Sequence, residues 1–233
     1  MSDIIYLSNV RVSFPNLVEP KITKNDNGSE RAAWSADLIV APNSPQFQQV
    51  MTQVTNSATA EWKERTPMIM QMIQADRKSR CYGNGAEKIN KTTLLPYDGY
   101  EGNAYVSAIS NRQPQMIQPN GSPVDAFNSM AYQAIARSIY GGCYVNAAIR
   151  LWPQDNKHGR GIRCDLVAIQ FSKDGDAFGG GGADVTGMFG AVAAPSAAPV
   201  QSAMPAAPFP GMLGMPGMPA APFPGMPGMP SFM

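Results

Sequence analysis

Two clusters of cations, each with an aromatic ring among them, are the part of this chain best suited to binding chemistry. Arg77, Lys78, Arg80, Lys88 and Lys91 fall in one segment around Tyr82, opposed only by Asp76 and Glu87. Arg150, Lys157, Arg160 and Arg163 form the second, with Trp152 at its base. Lysine and arginine suit phosphate oxygens, and tyrosine or tryptophan suits the flat face of an unpaired base. The plainer reading stands beside this one. A loop with several cations is commonly only a solvated surface, and a tyrosine beside Gly83 is equally suited to anchoring a turn.

Between Ile139 and Trp152 the chain reads IYGGCYVNAAIRLW. Successive strand side chains point to opposite faces. Cys143, Val145, Ala147, Ile149 and Leu151 therefore form a buried set, and Tyr144, Asn146, Ala148, Arg150 and Trp152 an outward one. Two rings flanking a guanidinium suit a flat, anionic ligand, which a single nucleic-acid strand is. From Gly102 to Asn111 the pattern is again a strand, with Tyr105 and Ser107 opposite Ala104, Val106 and Ala108. Arg112 stands at its end, where it would extend a binding path.

Catalysis finds little support. His158 is the single histidine and sits in a turn sequence, which argues against a histidine-based triad or a His-rich metal site. There is no Walker-type glycine loop, and GDAFGGGG lacks the strand and helix a dinucleotide site requires. Asp174 and Asp176, beside a glycine run, read as solvated carboxylates. No enzyme activity, cofactor or metal is expected.

The elements that must position these residues are mostly strands. Ile4 to Phe14 is rich in β-branched and apolar residues, and Pro15 is expected to end it. KNDNGSE turns the chain at Asn27-Gly28. From Arg31 to Ala41, Trp34, Ala36, Leu38 and Val40 share one face. Ser44-Pro45 opens a helix as cap and first residue, and Phe47, Val50, Met51, Val54, Ala58 and Trp62 form its apolar stripe. Trp34 and Trp62 lie on apolar faces and belong to the core. Thr66-Pro67 stops or kinks the helix, and Met68 to Ile73 continues as another. Ser122 to Ser138 holds a short helix. DNKHGRG turns the chain back into a last strand, Gly161 to Ser172. The fold expected is mainly β: an OB-fold-like barrel with an inserted helix, although pattern alone leaves other small β folds open.

The chain has 233 residues and a formal net charge of +1, so the distribution of charge, not its sum, carries the argument. Cys81, Cys143 and Cys164 are far apart without a CxxC and read as buried thiols in a reducing compartment. The first residues lack a secretory signal pattern and no run of about 20 apolar residues occurs, so a soluble cytoplasmic protein without a membrane partner is expected. After Asp184 there is no charged residue, and MPAAPFPGM occurs from Met204 and again from Met218. The division expected is a domain over 1–178 and a flexible low-complexity tail over 179–233.

SFPNLVEPK (Ser13 to Lys21), IYGGCYVNAAIRLW and IQFSKDGDAFGGG (Ile169 to Gly181) resemble a family of bacteriophage single-stranded-DNA-binding proteins with an OB fold, over about Ile4 to Gly182. The resemblance implies non-enzymatic coating of single strands during phage replication, recombination and repair, in the host cytoplasm. Many proteins of similar function end in an acidic tail that recruits replication proteins. The carboxylate-free stretch here instead suggests hydrophobic docking or self-association. Two other functions remain open: a phage structural or assembly protein with an adhesive tail, and a strand-annealing protein for recombination.

Overall fold

The computed structural model describes residues 3–24, 30–125, 128–157 and 159–179. The Asn27-Gly28 tip, His158 and the tail from residue 180 onward lie outside the described residues. In chain order the elements are β1 (Ile4–Lys24), β2 (Glu30–Val40), α1 (Pro45–Trp62), α2 (Thr66–Ala75), β3 (Tyr82–Asn84), β4 (Ala104–Ser110), β5 (Gln115–Ile117), α3 (Ser129–Ser138), β6 (Tyr144–Asn156) and β7 (Gly159–Lys173).

The strands form one seven-stranded sheet in the order β3-β4-β2-β1-β6-β7-β5. Every pairing is antiparallel except β5 with β7. The sheet curls until β4 lies against β7, and Arg80 bridges to Ile162. The architecture is thus mainly β and OB-like. The two additional strands beyond a five-stranded barrel, β3 and β5, are three residues each, too short for alternation to mark them.

Pro15 does not end β1. It sits where the register against β2 shifts, between Ser13 and Asn16, and at such a bulge the missing N–H removes no ladder bond. β1 and β2 therefore continue together as an arm, with Thr23 opposite Arg31 and Lys24 opposite Glu30.

The helix start falls where its cap places it. The Ser44 side chain accepts a hydrogen bond from the Phe47 N–H at 3.2 Å, and Pro45 occupies the first turn. α1 buries Val50, Val54, Ala58 and Trp62 against a core of inward residues that includes Val12, Leu38, Val106, Ile149 and Leu151. The Trp62 indole donates to Asp155 Oδ2 at 3.0 Å, which ties the end of α1 to the β6–β7 hairpin. The break comes at Lys63, whose φ is 49°. Pro67 instead lies in the first turn of α2, where its missing N–H would have had no partner anyway.

The two most distinctive sequence motifs pack on each other. Gly142 has φ 108°, and a Cβ there would lie 2.1 Å from the Asp176 carbonyl oxygen. Phe178 N–H donates to Gly141 O at 2.8 Å, and Arg11 holds the Asp176 carbonyl at 2.6 Å. The paired glycines are the space through which the segment after β7 passes. Among the described residues no helix is long and apolar enough to cross a membrane.

Candidate nucleic-acid interface

The outward faces of β1, β2 and β4 meet the segment 77–91 and the β6–β7 hairpin along a groove of about 1240 Å³. Lys78, Arg80, Lys88, Tyr105, Trp152 and Arg163 line it. The two cation clusters, about 70 residues apart in sequence, are therefore one feature in space. The join is explicit: Arg163 donates from its guanidinium to the Lys78 carbonyl at 2.8 Å and through Nε to Gln154 Oε1 at 2.8 Å.

Trp152 stands directly opposite Arg163 across the hairpin. Its Nε1–H donates to Asp165 Oδ1 at 3.0 Å, which fixes the indole while leaving it half-buried in the groove wall. Lys78 is exposed, and Asp76 organises the turn beneath it by accepting from the Lys78 N–H at 3.0 Å and the Ser79 hydroxyl at 2.7 Å. Those hydrogen bonds, the Ser79 hydroxyl foremost, lower the Asp76 carboxyl below its ordinary range.

Several of the cations are committed elsewhere. Lys88 Nζ lies 2.7 Å from Asp37 Oδ2 and 4.5 Å from the Tyr105 ring centroid. Asp37 also accepts from the hydroxyls of Tyr100 at 2.6 Å and Ser107 at 2.5 Å. Arg80 pairs with Glu87 at 2.9 Å and its side chain is only 11% exposed. It also donates to the Tyr82 carbonyl at 2.9 Å. Arg77 donates to the Glu87 carbonyl. Lys88 and Arg80 thus build the groove floor and wall, and their charge is largely spent on carboxylates.

Two rings, Tyr82 from the basic segment and Tyr105 from strand alternation, do not offer the stacking face expected of them. Tyr82 is 3% exposed and belongs to the core; its hydroxyl accepts from Gln74 at 2.9 Å, and burial raises its pKa. Tyr105 reaches the groove but is 2% exposed, capped by Lys88 and by the Tyr100 ring at 5.9 Å. Tyr100 is fully buried, and burial followed by the Asp37 charge pushes its hydroxyl pKa far up.

The other expected contacts lie outside the groove. Tyr144 shares the outward face of β6 with Trp152, but eight residues of strand separate them, about 26 Å. It sits between Arg11 and Lys173, whose cations lie 5.7 and 4.5 Å from its ring centroid. Arg150 is exposed and faces Asp165 across the strands. Lys157 and Arg160 are at the hairpin end, Arg160 held by Asp155 at 3.1 Å. Lys91 and Arg112 are exposed and do not line the groove.

Lys24, Arg31, Arg77, Ile109 and Asn111 also line the groove, and the residue types alone did not single out Arg31 or Asn111. Arg31 donates through Nε to Asn111 Oδ1 at 2.8 Å. The usable signal was the hairpin register, which sets Arg31 opposite Thr23 on the arm. Among the described residues no group of three or more metal-ligating side chains occurs.

A family model described as Enterobacter phage Enc34, ssDNA-binding protein, matches residues 3–197. Protein p50 of Acyrthosiphon pisum secondary endosymbiont phage 1 is 31% identical over 180 residues, covering 76% of this chain and 88% of that protein. Among solved structures, the single-stranded DNA-binding protein from bacteriophage Enc34 in complex with ssDNA is similar with TM-score 0.57 and 23% identity, over 76% of this chain and 89% of that one. A further structure of the single-stranded DNA-binding protein from bacteriophage Enc34 gives TM-score 0.54 at 23% identity, over 78% of this chain and 88% of that one.

Proposed function

The chain belongs to the Enterobacter phage Enc34 ssDNA-binding protein family, and on that premise we propose that its groove binds single-stranded DNA without regard to sequence. The observation that carries this is the convergence of Trp152, Arg163 and the 77–91 segment on one open trough. Trp152 stacks on a base. Lys78, Arg31 and Arg77 hold the sugar–phosphate path, and the Lys88–Asp37 and Arg80–Glu87 pairs keep the trough in shape. Stacking is indifferent to base identity because every base has a flat face. Nothing in this mechanism makes or breaks a covalent bond, so the activity is coating and protection, not catalysis.

The site of action is the host cytoplasm, on strands opened in phage replication, recombination and repair. The 1–178 domain does the binding. The segment 179–233, rich in methionine and phenylalanine and lacking charge after Asp184, promotes crowding along the strand by hydrophobic self-association or docking of replication proteins. Truncation after Gly190 is expected to keep single-site affinity and reduce clustering.

The test is an oligo-dT titration followed by tryptophan fluorescence, in the parent and in Trp152→Phe. Quenching in the parent that largely disappears in Trp152→Phe is the expected result. An emission unchanged at saturating oligonucleotide would overturn the reading.

A further inference from the structure

Phe14 is an apolar ring kept in the open by its surroundings. It is 48% exposed, and its backbone sits at φ 47°, a region that side-chain-bearing residues rarely adopt. The bulge at Pro15 turns it outward, and Asn16 fastens that turn by donating to the Phe14 carbonyl at 3.2 Å and to the Ser35 hydroxyl at 3.0 Å. Tyr97 meets the ring edge-on, with centroids 4.9 Å apart and planes at 84°. Tyr100 stands 6.3 Å away behind it. A ring that only needed burial would not be held outward by a left-handed backbone and a side-chain clamp.

The space in front of it is not isolated. A second trough of about 440 Å³ is lined by Phe14, Lys21, Thr23, Arg31 and Ile109. It shares Arg31, Lys88, Ser107 and Ile109 with the main groove, so the two are continuous. Lys21 is exposed and makes no ion pair among the described residues. Among the described residues, Arg31 donates from its side chain through Nε alone, to Asn111. The branch therefore offers an exposed ring in a trough that two cations also line, the combination that suits a base and nearby phosphates.

We propose that Phe14 is a second base-stacking platform, and that the bound strand runs from Trp152 along Arg31 into the branch under the β1–β2 arm. This rests on the groove binding single-stranded DNA. Lys21 and Arg31, farther along the arm, hold phosphates of the strand that leads to the base Phe14 receives, and Tyr97 keeps the ring from folding back onto the sheet.

The experiment compares the full-length parent, Phe14→Ala and Phe14→Trp on oligo-dT and on an abasic oligonucleotide of equal length. Phe14→Ala is expected to bind oligo-dT about tenfold more weakly, as removal of one stacked base would give, while its affinity for the abasic strand stays at the parent's. Phe14→Trp is expected to keep parent affinity and to show quenching beyond the parent's own. Phe14→Ala matching the parent on oligo-dT, an equal loss on both strands, or a Phe14→Trp emission that oligo-dT leaves untouched would each overturn this platform while the groove reading stands. A parent protein that does not bind oligo-dT would overturn both.

Discussion

At the scale of single residues, the groove divides into groups that hold it and groups left over for a ligand. Asp37 is the clearest of the first kind. Its two oxygens gather Lys88, Tyr100 and Ser107, so Asp37→Ala would leave a mostly buried ammonium and a buried hydroxyl without their acceptor. The expected cost is roughly 2–3 kcal/mol of stability, read as a lower urea midpoint. Lys78 is of the second kind. Lys78→Ala is expected to weaken binding similarly on all sequences and to lower the slope of log affinity against log salt by about 1. Trp152→Ala should instead cost on the order of tenfold in affinity and leave that slope nearly unchanged. Paired titrations at two salt concentrations separate the two effects.

At the scale of elements, the paired glycines before β6 and the segment after β7 act as one lock. Gly142→Ala would place a methyl at φ 108° against the Asp176 carbonyl. A loss of at least about 1–3 kcal/mol is expected from backbone strain alone, with earlier proteolysis after Lys173 as a second readout. Much at this scale was legible in the sequence. The Ser44-Pro45 start, the α1 stripe and the faces of β2, β4 and β6 follow from local chemistry and alternation, which short-range physics imposes. What alternation cannot tell is whether an outward face stays uncovered. Tyr105 points outward as expected, yet Lys88 and Tyr100 cover it, and both arrive from a loop whose path no periodicity encodes. Tyr82 and Arg80 are neighbours in a basic segment that, by residue type, reads as a nucleic-acid-binding cluster. The short strand β3 turns Tyr82 inward, and Glu87 takes up Arg80. The meeting of the two clusters depends on the curl that brings β7 beside residues 77–80, a long-range fact absent from either segment alone.

At the scale of the whole molecule, the buried tyrosines set an alkaline limit on stability. Burial raises the pKa of Tyr82, pushes Tyr132 up to about 12 and moves Tyr100 further still. The unfolded chain loses these protons near pH 10 while the folded chain keeps them, so stability is full below about pH 10 and falls as pH rises above it. A denaturant midpoint that drops between pH 9 and pH 11, roughly, is the expected result. The same scale explains a near-zero net charge in a strand binder. The carboxylates Asp37, Glu87 and Asp155 are spent on cations that shape the trough or its hairpin, while Lys21, Arg31 and Lys78 line the trough and its branch.

Where the strand lies on the molecule can be read directly by photocrosslinking a halogenated deoxyuridine oligonucleotide to the full-length protein and mapping the modified peptides. The groove account predicts adducts in the peptides that carry Trp152 and residues 77–91. Adducts confined to the far end of β6, around Tyr144, Arg11 and Lys173, would contradict it.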